Sequence, residues 1–278
     1  VAQRERSWPA AASSRATSAL AGPRRAATVL AALPHALYLR CHDGSVLPVV
    51  TGSGLRLPTA LVLASPESPH GWDVQPGDPV WVGDGEVRLP RATVRAVRTW
   101  APVPFGAALA PPEAVSLVAD GASGQWQGVA LSLARVALRG DDVTDAVAGL
   151  VGNGPGLTPS GDDVLCGLLL GLQPVAPARD RVWAAVALRL GATTSLSAVL
   201  LGESAAGYAV PAVLRLGSAL VGGSAGYTDD AQVRRAVREV VAIGHSSGAD
   251  LLAGLAAALR ALAEPVRRCP PAAVGVPA

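Results

Sequence analysis

Hydrophobic and polar positions divide the chain into two regimes. Between residues 35 and 100 the apolar residues come in short β-favouring runs broken by turn formers. Residues 36–40 and 46–50 flank an Asp43-Gly44 turn, the pattern of a hairpin. A third run covers 61–63. Residues 74–82 and 86–89 flank Gly83-Asp84-Gly85, and 94–100 closes the series. Short strands at this spacing predict a small barrel or sandwich. Pro102-Val103-Pro104 and Pro111-Pro112 mark a change of regime, after which Ala and Leu recur with helical periodicity. Helices are expected near 113–120, 126–139 and 141–151, the last opening on Asp141 or Asp142. A further helix is expected over 179–190, stopped at Gly191, and an amphipathic one over 229–243 with Arg234, Arg235 and Arg238 on its wet face. Residues 1–33 are rich in Ala, Ser and Arg; no regular structure is expected to about Ala12, and one helix over 13–33. The fold class is therefore α+β. The expected division is an arm over 1–33, a β-rich domain over 34–104, a helical domain over 105–264 and a Pro-rich tail over 265–278.

One stretch stands apart from both patterns. Gly152-Asn153-Gly154-Pro155-Gly156-Leu157-Thr158-Pro159-Ser160-Gly161-Asp162-Asp163 is a loop of forced geometry feeding the apolar run 164–172. Ser160 is a good N-cap, and with Asp163 it has the spacing of a capping box. This reads either as a capped buried helix or as a ligand site, since glycines admit close backbone approach and a helix N-terminus attracts anions. Two carboxylates repel a bare phosphate, so Asp162 and Asp163 would instead hold Mg²⁺, orient a substrate N–H or act as base.

A second copy lies 87 residues on. Ser247-Gly248-Ala249-Asp250-Leu251-Leu252-Ala253-Gly254-Leu255 repeats the pattern S-G-x-D-x-L-x-G-L of residues 160–168. Gly inside a helix costs about 0.8–1 kcal/mol against Ala. Gly167 and Gly254 therefore point to two helices pressed together with their first turns side by side. Between the copies, Thr193, Thr194, Ser195 and Ser197 form a hydroxyl cluster, in which a threonine caps the next helix or supplies neutral donors to a ligand. His245 precedes the second copy and is the histidine nearest a candidate site; His42 and His70 lie near turns.

Composition narrows the classes. Half of the 278 residues are hydrophobic, and the net charge of +2 gives no nucleic-acid or acidic-membrane surface. All 23 basic residues are Arg, which excludes a Schiff-base or P-loop lysine. Cys41, Cys166 and Cys269 are widely spaced and suggest neither a disulfide framework nor a zinc site. No run reaches the roughly 18 apolar residues of a membrane span. Residues 1–20 lack a hydrophobic signal core, so a soluble cytoplasmic protein is expected.

The loop over 152–163 followed by Val-Leu-Cys-Gly-Leu resembles the hallmark of a bacterial family, long catalogued as a domain of unknown function. That family includes the third, YlbF/AllH-like subunit of oxamate carbamoyltransferase from allantoin degradation. The Thr-Thr-Ser-Leu-Ser segment at 193–197 and the helix opening Ser246-Ser247-Gly248-Ala249-Asp250 also look like family features. The resemblance extends over about 35–262, and its specificity rests on 152–167. It implies a part in moving a carbamoyl group between carbamoyl phosphate and oxamate, within a multi-subunit assembly.

Such chemistry needs an anion cradle, donors for the carbamoyl oxygen and a base. Backbone around Gly154, Gly156, Gly161 and Gly248 is the candidate cradle; Thr158, Ser160, Thr194, Ser195 and Ser247 are the candidate donors. Asp162, Asp163, Asp250 and His245 are the candidate catalytic groups, and Arg189 is the nearest cation by sequence. No metal ligand set is assigned. Three readings stand: a carbamoyltransferase subunit binding a small anion such as carbamoyl phosphate or an oxamate-like molecule, a non-catalytic ligand-binding or scaffolding subunit, and a Mg²⁺-dependent phosphoryl-transfer enzyme.

Overall fold

The short β-favouring runs come together by closing on themselves. In the computed structural model, which describes residues 6–65, 71–106, 110–221 and 229–264, they form a barrel. Its strands are β1 (Arg6–Ser13), β2 (Arg25–Leu33), β3 (Ala36–Arg40), β4 (Val46–Val50), β5 (Leu61–Leu63), β6 (Pro79–Gly83), β7 (Glu86–Arg88) and β8 (Ala92–Trp100). The barrel closes in the order β1-β5-β4-β3-β2-β6-β7-β8. The Asp43-Gly44 turn joins β3 to β4 as an antiparallel pair, with Leu37 opposite Val49. Closure depends on β1, which runs antiparallel to β5 and parallel to β8.

The helix expected over 13–33 is not there. Only α1 (Thr17–Ala21) is helical, between β1 and β2, and residues 6–13 are an ordered strand. Alanine favours helix in isolation, but a narrow barrel has room inside for little more than small side chains. Ala10, Ala12 and Ala27 are buried there against Val29, Leu39 and Val49. Tertiary context overrides local propensity.

Side chains alternate across a strand, and β3 and β4 are buried on both sides. Leu37, Leu39, Leu47 and Val49 fill the barrel. Ala36, Tyr38, Val46 and Val50 face out into a core shared with the helices. Those helices are α2 (Pro112–Asp120), α3 (Gly124–Arg139), α4 (Thr144–Ala148), α5 (Ser160–Gly171), α6 (Ala176–Ala187), α7 (Ser195–Ala205), α8 (Pro211–Val221), α9 (Asp230–Val241) and α10 (Ser247–Ala263). Arg234, Arg235 and Arg238 are exposed on α9, as its periodicity predicts. No helix among the described residues is long and apolar enough to cross a membrane. Cys41 and Cys166 are free and buried. His70, Cys269 and the tail over 265–278 lie outside the described residues.

At the centre α5 and α10 run side by side, both starting at the same end. A Cβ on Gly167 would meet the Leu251 carbonyl oxygen at 1.9 Å and the Leu255 nitrogen at 2.8 Å. A Cβ on Gly254 would meet the Val164 oxygen at 1.9 Å and the Leu168 nitrogen at 2.7 Å. These contacts exchange under the 87-residue offset of the sequence repeat, so the two copies form a pseudo-two-fold pair. Gly161 and Gly248 are each pressed against a preceding segment: their Cβ positions would meet the oxygens of Leu150 and Val240, at 2.0 and 1.8 Å.

Gly254→Ala is expected to cost at least about 1–3 kcal/mol by overpacking, despite the better helix propensity of Ala. Gly128→Ala, on an exposed part of α3 with nothing within 4 Å of the new Cβ, is expected to gain roughly 0.5–1 kcal/mol. Urea titration of both variants reads the difference directly; a neutral Gly254→Ala would show that the helices can part without loss.

Candidate functional site

The close pairing of α5 and α10 delivers two aspartates to one buried place. Asp163 is 6% exposed and Asp250 1%, each in the first turn of its helix. There the helix dipole favours negative charge by about 0.3–1 kcal/mol, more where the site is partly buried. Desolvation opposes it. Burial pushes the Asp163 carboxyl up to about 7; hydrogen bonding from Ser247 pulls it down, the charges of Asp250 and Asp162 add to the rise, and Thr158 lowers it slightly. One oxygen of Asp163 and one of Asp250 are buried without a hydrogen-bond partner. Buried polar atoms are rarely left so.

The glycine loop brings its hydroxyl to the same spot. Gly152, Gly154 and Gly156 all take positive φ, at 73°, 125° and 92°. The resulting fold-back sets the Thr158 hydroxyl 3.0 Å from that of Ser247, joining loop and α10. Asp162 anchors the loop from the other side. It is 1% exposed, accepts from the Gly152 amide at 2.9 Å, and accepts from the Thr193 hydroxyl. Both its partners are internal, which makes it a staple between the loop and the segment before α7.

The other sequence candidates divide as follows. Ser160 does not cap α5: Pro159 stands at that position, and no side chain caps the helix. The first-turn amides are already occupied, Gly161 by the Asn153 oxygen and Asp162 and Asp163 by that of Pro159. The Gly248 amide donates to Ile243. Thr194 caps α7, accepting from the Ser197 amide, and donates to the Leu157 oxygen at 2.6 Å. Ser195 begins that helix. Gly154, Gly156 and His245 are exposed on the surface of the loops.

A cavity of about 270 Å³ opens over Asp163, between the outer face of the barrel and the helices. Thr158 and Ser247 line it with Asp163, and Cys166, Leu196 and Leu251 form its helical wall. Tyr38, Leu57 and Pro58 form the barrel wall. Asp162, Asp250, His245 and Arg189 are not among the lining residues.

Sequence reasoning missed the far end of this cavity. Glu203 and Tyr208 line it, and Arg15, which follows β1, reaches across to both. Its guanidinium donates to both Glu203 oxygens, one at 2.9 Å, and stacks 4.2 Å from the Tyr208 ring centre. Glu203 is the only charged residue between Arg189 and Arg215. A lone carboxylate in an apolar helix signals a buried partner, but its identity needed the fold. Among the described residues, no three His, Cys, Asp or Glu side chains converge as a metal ligand set.

The loop, both aspartates and the Thr158–Ser247 pair all fall in one segment, and that segment has known relatives. Residues 150–259 match the family model of the oxamate carbamoyltransferase subunit AllH. This AllH-like segment starts just before the glycine loop and ends within α10, so it holds the whole pseudo-two-fold pair. Comparison with curated proteins and with solved structures gives no match.

The raised Asp163 pKa has a defined effect on stability. The folded state keeps the proton to about pH 7, whereas the unfolded chain releases it near ~3.9. Between these values the folded state binds more protons, so this group's contribution is fully present below about pH 4 and is lost as pH rises towards 7. Asp163→Asn is expected to remove that loss, so its stability relative to wild type should climb between pH 4 and 7 and level off above. Urea unfolding at several pH values measures it; a constant difference across the range would mean that Asp163 titrates normally.

Proposed function

We propose that this chain is a subunit of a carbamoyltransferase-type enzyme and that the cavity over Asp163 receives the amide-bearing partner of the transfer, an oxamate- or oxalurate-like molecule. The carrying observation is the buried, unpartnered Asp163 oxygen beside the Thr158–Ser247 pair, at the N-terminal ends of α5 and α10. Membership of these residues in the AllH-like segment supports the reaction class.

The chemistry fits the groups. In carbamoyl transfer the acceptor nitrogen attacks the carbamoyl carbon of carbamoyl phosphate. The bond from that carbon to the bridging oxygen breaks, its electron pair leaves with phosphate, and the nitrogen gives up a proton. A carboxyl titrating near 7 is poised to take that proton. The hydroxyls of Thr158 and Ser247 are suited to hold the acceptor's carbonyl oxygen while it happens. Asp162 positions the loop that carries Thr158 and takes no proton in this scheme. Asp250 adds negative charge that keeps the Asp163 proton affinity high.

Carbamoyl phosphate itself is poorly served here. No arginine or histidine is found among the described residues lining the cavity, and the amides of Gly161, Asp162, Asp163, Gly248 and Asp250 are already in use. A partner subunit would supply the phosphate site, in keeping with the multi-subunit enzyme for which the family is named.

Calorimetric titration of the chain with oxalurate and oxamate tests the placement. Wild type is expected to bind at millimolar concentration, and Asp163→Asn to weaken binding by about tenfold, roughly 1.4 kcal/mol. Equal affinity in the two proteins would remove Asp163 from the site.

A further inference from the structure

We propose that the cavity over Asp163 takes a carboxamide or ureide carrying an apolar body of about ring size, its N–H groups on Asp163 and its carbonyl oxygen on the Thr158–Ser247 hydroxyl pair. This rests on the reading of the cavity as the ligand site and replaces the two-carbon acid amide proposed there by a neutral, apolar-substituted amide.

Size is the first argument. A dry cavity of roughly 150 Å³ lined by Leu, Ile and Phe holds a benzene. At about 270 Å³, this one has room for such a body and for a polar head beyond it. A two-carbon ligand seated on Asp163 would leave most of the wall uncovered.

The wall and the rim are apolar. Tyr38, Leu57, Leu170, Leu196, Val210 and Leu251 line the space. At the rim stand Leu33, Leu55 and Leu157, 46%, 40% and 37% exposed. Large apolar side chains gathered at an opening mark a place where an apolar surface is received. They come from β2, from the β4–β5 connection and from the glycine loop, so they converge only in the fold.

Charge is the third argument. The charged side chains lining the cavity are the carboxylates of Asp163 and Glu203. Arg15, the cation closest to them through its contacts, is committed to Glu203 and Tyr208. A ligand carboxylate would enter a low-dielectric space in which no cation lines the wall among the described residues, which is costly. A neutral amide avoids that. It offers N–H donors to a buried carboxyl oxygen that lacks one, and a carbonyl oxygen to the Thr158–Ser247 pair, one of whose protons would turn to it from the bond between the hydroxyls or from Asp163.

The test is a calorimetric panel on the full chain: benzamide and phenylurea against benzoate, oxamate and oxalurate. Benzamide or phenylurea is expected to bind at least about tenfold more tightly than oxamate and benzoate. Ala209→Phe, which adds bulk to the cavity wall beside Tyr208, is expected to abolish binding of the aryl amides while leaving the melting temperature of the chain near wild type. Leu33→Gln, on the exposed rim, provides a second variant that leaves the core untouched and is expected to weaken the aryl amides about threefold or more. Oxamate or oxalurate binding as tightly as the aryl amides, and depending on Asp163, would overturn this inference and leave the transferase reading standing. Aryl amides that bind equally well to wild type, Ala209→Phe and Leu33→Gln would place them elsewhere and also overturn it. Binding of none of the panel to the folded chain would overturn both.

Discussion

The reciprocal approach of Gly167 and Gly254 is the constraint on which the rest of the structure depends. With any side chain at either position, the helix backbones could not come within reach of each other's carbonyls. The two first turns would then separate, and Asp163 would lose both the Asp250 field and the Ser247 hydroxyl that tune its proton affinity. A packing contact between residues that carry no functional group thereby sets the charge state of one that does. Two helix-interior glycines cost about 0.8–1 kcal/mol each, and the buried carboxylates cost more, offset by interhelical packing over α5, of which nearly every residue is buried.

The pseudo-two-fold relation was legible in the sequence because each of its elements leaves a residue-type signature. Only Gly tolerates a Cβ position 1.9 Å from an oxygen, so the S-G-x-D-x-L-x-G-L repeat records a spatial relation directly. The hairpin of β3 and β4 was legible for a similar reason, through the turn Asp43-Gly44 and the apolar runs on either side of it. Strands β1 and β2 were not, because alanine carries no strand signature and its use there reflects the bore of the barrel. Ser160 was misread as a cap because sequence shows a hydroxyl at the right spacing but not that Asn153 and Pro159 carbonyls already occupy the amides. His245 illustrates the converse: proximity in sequence to a motif did not bring it to the cavity.

The pair of aspartates shows why one motif can serve two ends. Asp162 and Asp163 are adjacent in sequence and equally deep, yet helical geometry turns them to different surroundings. Asp162 finds two internal donors, from Gly152 and Thr193, and becomes part of the scaffold. Asp163 keeps an oxygen with no donor and faces the cavity. A buried acceptor left open costs on the order of 1–3 kcal/mol.

The cavity itself divides along the chain. Its polar end, Thr158, Asp163 and Ser247, comes from the AllH-like segment over 150–259. Leu33, Tyr38, Leu55 and Leu57 come from the barrel, outside that segment. The polar end thus comes wholly from that segment, whereas the apolar wall is shared between it and the barrel, joined where the outer faces of β3 and β4 pack on the helices. A change of barrel side chains before residue 60 would alter part of that wall without touching Asp163.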